Sequence, residues 1–188
     1  MPEKSLIHSK AQHYYDVFHR ERDGWVAETD VYAWVGRTTR EFGLTPGTAP
    51  ADALRKSLLE YWKRLFVPMD TDGDGVVSRE EFLAGFVSLE NKPDDYARVV
   101  TPSAQVFVAT ADVDGDGELD KSEFKRLFQS SFALSDEDID VSFADIDTDG
   151  SGSISTDELR AAIRVFHSST DPADRGHRLL GALPGEQR

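Results

Sequence analysis

The sequence predicts an all-α fold: four helix–loop–helix units in two paired lobes, compact, with short β-contacts between paired loops. Three observations carry this. A twelve-residue frame with glycine at its sixth position recurs four times, at residues 19–30, 70–81, 112–123 and 147–158. Apolar residues at three- and four-residue spacing flank every frame on both sides, as expected of helices that bury one stripe. The eighth position of each frame is Val26, Val77, Leu119 or Ile154, apolar and mostly β-branched, which suits a two-strand contact between neighbouring loops.

The third frame is the most complete. Asp112, Asp114 and Asp116 stand first, third and fifth, Gly117 sixth, Asp120 ninth and Glu123 twelfth. This is the spacing of a calcium loop, and each part has a physical reason. Calcium is a hard cation that takes roughly 6–8 oxygens. The three aspartates offer one oxygen each as the chain coils, and glycine permits the sharp turn that follows. Glu118 offers its backbone carbonyl, Asp120 is expected to act through a water, and the longer Glu123 closes the ring with both oxygens. The second frame repeats this with Asp70, Asp72, Asp74, the Val76 carbonyl, Ser78 and Glu81. The fourth uses Asp147, Asp149, Ser151, the Ser153 carbonyl, Ser155 and Glu158, with serine replacing the fifth-position carboxylate.

The first frame departs from the pattern. His19 takes the first ligand position, where imidazole is a poor partner for calcium. Asp30 closes the frame one methylene short, and Arg20 and Arg22 add positive charge beside Glu21 and Asp23. The frame reads as kept for its fold and lost for its metal, with weak magnesium binding as the lesser alternative.

The helices follow from the stripes. Ala11, Tyr14, Tyr15 and Phe18 enter the first loop; Val31, Trp34 and Val35 leave it. Residues 37–51, with Gly43, Pro46, Gly47 and Pro50, read as an extended connection. A helix over about 52–69 carries Trp62, Leu65, Phe66 and Met69, with Pro68 bending its last turn. Phe82, Phe86 and Leu89 leave the second loop, and residues 91–95 form a break between halves. Thr101 is the expected N-cap, with Pro102 at the first helical position, of a helix carrying Ala104, Phe107, Val108 and Ala111. Phe124, Leu127 and Phe128 follow the third loop. Ser135 caps a helix ending at Ile146, and Leu159, Ala162, Ile163 and Phe166 follow the fourth. The division is therefore residues 1–95 and 96–167 as two pairs, plus a tail over 168–188. That tail is expected to form a short helix through Leu179, Leu180 and Leu183, packed back on the body.

Composition narrows the function classes. With 35 acidic against 21 basic side chains the formal charge is −14, which opposes nucleic-acid binding. The absence of cysteine excludes disulfides, zinc–thiolate sites and cysteine nucleophiles. No apolar run approaches the roughly 20 residues of a membrane span, and Pro2 stands where myristoylation needs glycine. A cytoplasmic monomer with no membrane anchor is expected. The five histidines have no consistent partner spacing, so no enzyme is expected.

Four such units with one impaired resemble the EF-hand proteins of the sarcoplasmic calcium-binding protein group, including calerythrin and calexcitin. The resemblance runs from about Tyr14 to Leu183 and is most specific over residues 70–81, 112–123 and 147–158. It implies two EF-hand pairs that bind calcium, and sometimes magnesium, and act mainly as a buffer. Calerythrin-like proteins typically lack binding in the second hand; here the first is damaged and the second intact.

The leading expectation is a calcium buffer holding three ions, with magnesium as a competitor. Three calcium ions bring the formal charge from −14 to −8 and relieve repulsion among crowded carboxylates. Loop charge ranks the sites: five ligand-position carboxylates in the third loop, four in the second, three in the fourth. The alternative is a calcium sensor that exposes an apolar groove to a target protein, although such grooves are Met-rich and this chain has two methionines. A third reading is a carrier of a small apolar ligand, in a cavity lined by Trp25, Trp34 and Trp62.

Overall fold

The computed structural model describes residues 5–19, 24–89 and 93–185. Arg20, Glu21, Arg22 and Asp23 of the first loop, and Asn91 and Lys92 between the halves, lie outside them. Eight α-helices occur among the described residues: α1 (Leu6–Phe18), α2 (Glu28–Glu41), α3 (Ala49–Tyr61), α4 (Arg79–Ser88), α5 (Pro93–Ala111), α6 (Lys121–Phe132), α7 (Asp136–Ile146) and α8 (Thr156–Ser168). The loops between entering and leaving helices carry four short strands, β1 (Trp25–Val26), β2 (Val77–Ser78), β3 (Glu118–Asp120) and β4 (Ser153–Ser155). β1 pairs antiparallel with β2, Val26 opposite Val77, and β3 pairs with β4, Leu119 opposite Ile154. The eighth-position residues thus meet as the sequence predicts. All four are buried, because a strand contact of two or three residues is stable only where its side chains reach the core.

Four local expectations are corrected. The connection after α2 is short: α2 continues to Glu41, and α3 already begins at Ala49 with Pro50 in its first turn. Proline suits that position, having no amide hydrogen to leave unpaired. The helix leading into the second loop does not stay α-helical to Met69. Residues Trp62–Phe66 form a π turn and Val67–Met69 a 3₁₀ turn. Pro68 cannot join an α ladder, and the Val67 amide reaches back to the Trp62 carbonyl instead. Thr101 does not stand at a helix start, since α5 begins at Pro93 and Pro102 lies inside it. An interior proline costs about 3 kcal/mol. The packing of α5 against α8 and α3, with Ala104, Val108 and Ala111 buried, holds the helix through it, and Pro102 faces outward. The boundary read at 95/96 falls within this helix. Finally, residues 169–185 fold as successive turns with no helix, although Leu179, Leu180 and Leu183 are buried against the body.

One apolar core runs through both halves, joining α1 and α4 to α6, α8 and the leucines after α8. Tyr14 lies at its crossing point. Its ring meets Phe82 and Phe86 of α4 edge-on at 5.5 and 5.9 Å, and Phe166 and His167 of α8 at 5.9 and 5.5 Å. Its hydroxyl bonds that of Tyr61 at 2.7 Å, and Tyr61 in turn lies 3.4 Å from His167 Nε2. His167 Nδ1 donates to the Ile163 carbonyl at 2.7 Å. Beside these groups lies a cavity of about 40 Å³, bordered by Tyr14, Trp34, Tyr61, Phe128, Phe166 and His167. It has room for only about two or three water molecules.

Burial holds His167 down to about 3, with the nearby Lys10 charge acting in the same direction against the bond to Ile163. The folded protein therefore keeps this ring neutral, while the unfolded chain protonates it below about 6.5. Stability from this group is present above pH 6.5 and is lost as pH falls toward 3. Between pH 6.5 and 5 the loss is about 2 kcal/mol. Urea unfolding of the His167→Gln variant at fixed calcium is expected to show a flatter decline over that interval than the parent protein.

Candidate metal centres

Each loop is wound around its own side chains. In the second loop the Asp70 carboxylate accepts the amides of Gly73 at 2.7 Å and Gly75 at 3.0 Å. Asp112 takes the amides of Gly115 and Gly117 at 2.6 and 2.9 Å, and Asp147 those of Ser151 and Gly152, both at 3.1 Å. This curls the backbone tightly enough that the sixth-position glycines sit at φ values of 91, 90 and 87°. Glycine reaches that region without steric cost. Third-position carboxylates accept the amide two residues on: Asp72 from Asp74, Asp114 from Asp116, and Asp149 from Ser151. Asp74 and Asp116 do the same for Val76 and Glu118.

The twelfth residue closes each loop. Glu81 accepts the amides of Thr71 at 2.8 Å and Ser78 at 3.0 Å, together with both of their hydroxyls. Glu158 makes the same four bonds with Thr148 and Ser155. Glu123, which is buried, is held by the amides of Val113 and Asp120 at 2.6 and 3.1 Å. The Ser78 amide, then the Thr71 hydroxyl and amide, lower the Glu81 carboxyl to about 2. Partial burial pushes Glu158 up, but the bonds from Ser155 and Thr148 outweigh it and bring it to about 2 as well.

Folding thus brings three triads together: Asp70, Asp72 and Glu81; Asp112, Asp114 and Glu123; Asp147, Asp149 and Glu158. Within each, one oxygen per residue lies within 4.8 Å of the others. Carboxylates this close repel one another unless a cation lies between them, and an all-oxygen donor set suits a hard divalent ion. Asp74 and Asp116 are exposed and accept the amides just named. The Ser151 hydroxyl donates to the Ser153 carbonyl at 3.1 Å, so two groups read as ligands bond each other. Val76 precedes β2, and Glu118 and Ser153 open β3 and β4. The Ser153 hydroxyl also donates to the Glu118 carboxylate, which joins the third and fourth loops.

In the first loop His19 keeps part of the first-position role. Its Nε2 accepts the Gly24 amide at 3.2 Å, and its ring stacks on Tyr15 at 5.0 Å. Asp30 accepts the Ala27 amide at 2.7 Å, as the twelfth residue does in the other loops. Sequence reasoning missed Thr71 and Thr148. Their signal was threonine at the second position of two loops where the third has Val113.

These helices, loops and paired strands match known proteins. Residues 104–164 match the EF-hand domain pair family, and residues 63–87 match the EF hand family. The chain is 34% identical over 110 residues to calcium-dependent protein kinase 33 of Arabidopsis thaliana, a match covering 58% of this chain and 20% of the kinase. It therefore spans about a fifth of that protein's length. A Streptomyces coelicolor calcium-binding protein superposes with a TM-score of 0.78 at 24% identity, over 86% of this chain and 98% of that one. The sarcoplasmic calcium-binding protein of amphioxus gives 0.70 at 23% identity, over 96% and 99%. The chain carries EF-hand domains, and its all-α fold is shared with these two proteins. No described helix is long and apolar enough to cross a membrane.

Replacing Thr148 by valine and Ser155 by alanine removes both hydroxyls from Glu158. Carboxyl carbon NMR of the calcium-free protein is expected to show Glu158 titrating at higher pH, back toward the usual carboxylate range, while Glu81 stays near 2.

Proposed function

We propose that this protein is a calcium buffer with three ion-holding EF-hand loops. The observation that carries the binding is the convergence of first-, third- and twelfth-position carboxylates in three loops. The ligands we assign are Asp70, Asp72, Asp74, the Val76 carbonyl and Glu81; Asp112, Asp114, Asp116, the Glu118 carbonyl and Glu123; and Asp147, Asp149, Ser151, the Ser153 carbonyl and Glu158. Calcium supplies the charge that offsets carboxylate repulsion. Magnesium, smaller and slower to shed water, competes less well for rings this large. The division into two EF-hand pairs, the first loop with the second and the third with the fourth, is part of the same proposal, with α5 from Pro93 onward assigned to the second pair.

The buffer reading rests on the shared core. Phe82 and Phe86 of α4 and Phe166 of α8, which leave the second and fourth loops, are already buried against Tyr14. A hand that opened to receive a target helix would have to break these contacts, and Met69 is itself buried. The small cavity beside Tyr14 speaks against an apolar ligand carrier, since drug-sized ligands need roughly 300 Å³ or more.

Calorimetric titration is expected to find three calcium ions per chain. Glu81→Gln, Glu123→Gln and Glu158→Gln should each lose one, with the fourth loop the weakest. Binding without saturation of any loop at millimolar calcium would refute the assignment. An apolar dye is expected to give equal fluorescence with and without calcium; a calcium-dependent rise would favour the sensor.

A further inference from the structure

The turns at 169–185 do more than cover apolar surface. They grip the fourth hand at the point where its first ligand begins. The Arg175 guanidinium donates to the carbonyls of Asp145 at 3.1 Å and Asp147 at 3.0 Å, and to that of Ala144. These carbonyls close the C-terminus of α7, where helix carbonyls lack partners and carry partial negative charge. Asp147 is the first residue of the fourth loop, so its backbone is pinned from behind while its carboxylate faces the triad. The grip is returned by Asp145, whose carboxylate accepts the amides of Gly176 at 2.7 Å and Arg178 at 3.0 Å. Ser142 of α7 donates to the Leu179 carbonyl at 2.7 Å.

The same turns press on α8, the helix that leaves the fourth loop. A Cβ on Gly176 would lie 2.7 Å from the Ala162 Cα, so only glycine allows this approach. On the other side a Cβ on Gly181 would lie 2.5 Å from the Asp138 Cβ on α7. A third attachment comes from α1. Lys10, fully buried, gives its ammonium to the carbonyls of Val165 and Ser169 at 3.0 and 2.6 Å and to His177 Nδ1 at 3.3 Å. His177 Nε2 donates to the Asp171 carbonyl, which leaves Nδ1 as acceptor. His13 donates to the Leu180 carbonyl at 2.8 Å.

We infer that residues 169–185 are a strap that raises the calcium affinity of the fourth loop, with Arg175 as its positioning residue. This rests on the ion binding proposed above for residues 147–158. An ion there fixes Asp147, at the end of α7, against Glu158, in the first turn of α8. The strap fixes the same two helices from the far side. Two attachments that favour one geometry strengthen each other, and the coupling is reciprocal: the strap tightens the ion, and the ion tightens the strap.

Both directions are measured on the full chain. Amide exchange at Gly176 and Arg178 is expected to slow with calcium by roughly tenfold in the parent and in Glu81→Gln, and to change little in Glu158→Gln. In calorimetry, Arg175→Gln is expected to weaken the fourth loop by roughly tenfold and leave the second unchanged, with Arg175→Lys falling between them. Equal slowing of exchange in Glu158→Gln, or an unaltered fourth-loop affinity in folded Arg175→Gln, would overturn the strap while leaving the ion loops standing. A parent protein that takes up no calcium at any loop would overturn both readings.

Discussion

Each ion loop depends on one short hydrogen-bonding arrangement: the side chain at its first position accepts backbone amides from farther along the same loop. Asp70, Asp112 and Asp147 each draw in two amides, one of them from the sixth-position glycine. Hydrogen bonds to a charged acceptor are the stronger kind. They partly neutralise a carboxylate crowded by two others and hold the curl of the loop. Backbone dipoles thus offset part of the repulsion between like charges.

The first loop shows which part of that arrangement the fold requires. His19 supplies a single ring nitrogen where the other loops have a carboxylate, and it still receives the Gly24 amide. With Asp30 holding Ala27, the short strand stays aligned and Val26 still meets Val77. Ion binding and strand pairing are thus separable demands on a loop. A histidine in place of the first carboxylate still leaves the second loop its partner.

Outside the loops the chain behaves as one packed body. The Tyr14 ring joins helices of both halves, and the buried Lys10 ties α1 to the end of α8 and to the turns beyond it. A buried ammonium is tolerable only when its donors are used, and here two carbonyls and a ring nitrogen receive them. The helices that would swing apart in an opening hand are the ones that share this core.

The frame positions were legible in the sequence because a divalent ion constrains residue type and spacing together. The pairing of loops could be read from Val26, Val77, Leu119 and Ile154 because a strand of two or three residues has only one side chain to bury. The Thr71 and Thr148 hydroxyls were harder to see, since they contact the glutamate rather than the ion and no ligand rule demands them. Thr101 and Pro102 misled: a proline near a plausible cap reads as a helix start, and local rules do not weigh the packing of α5 that carries the helix through it.

Chemistry that is local in the chain was therefore legible in the sequence alone: which three turns gather acidic triads, and which helix faces turn inward. Only the tertiary structure decided where the residues after Ser168 go. Leu179, Leu180 and Leu183 announce burial, but Arg175 finds the end of α7 and Lys10 the end of α8 across about 30 and more than 150 residues of sequence. Contacts that distant have no period or spacing to betray them, because they depend on the shape left over once the four hands have packed.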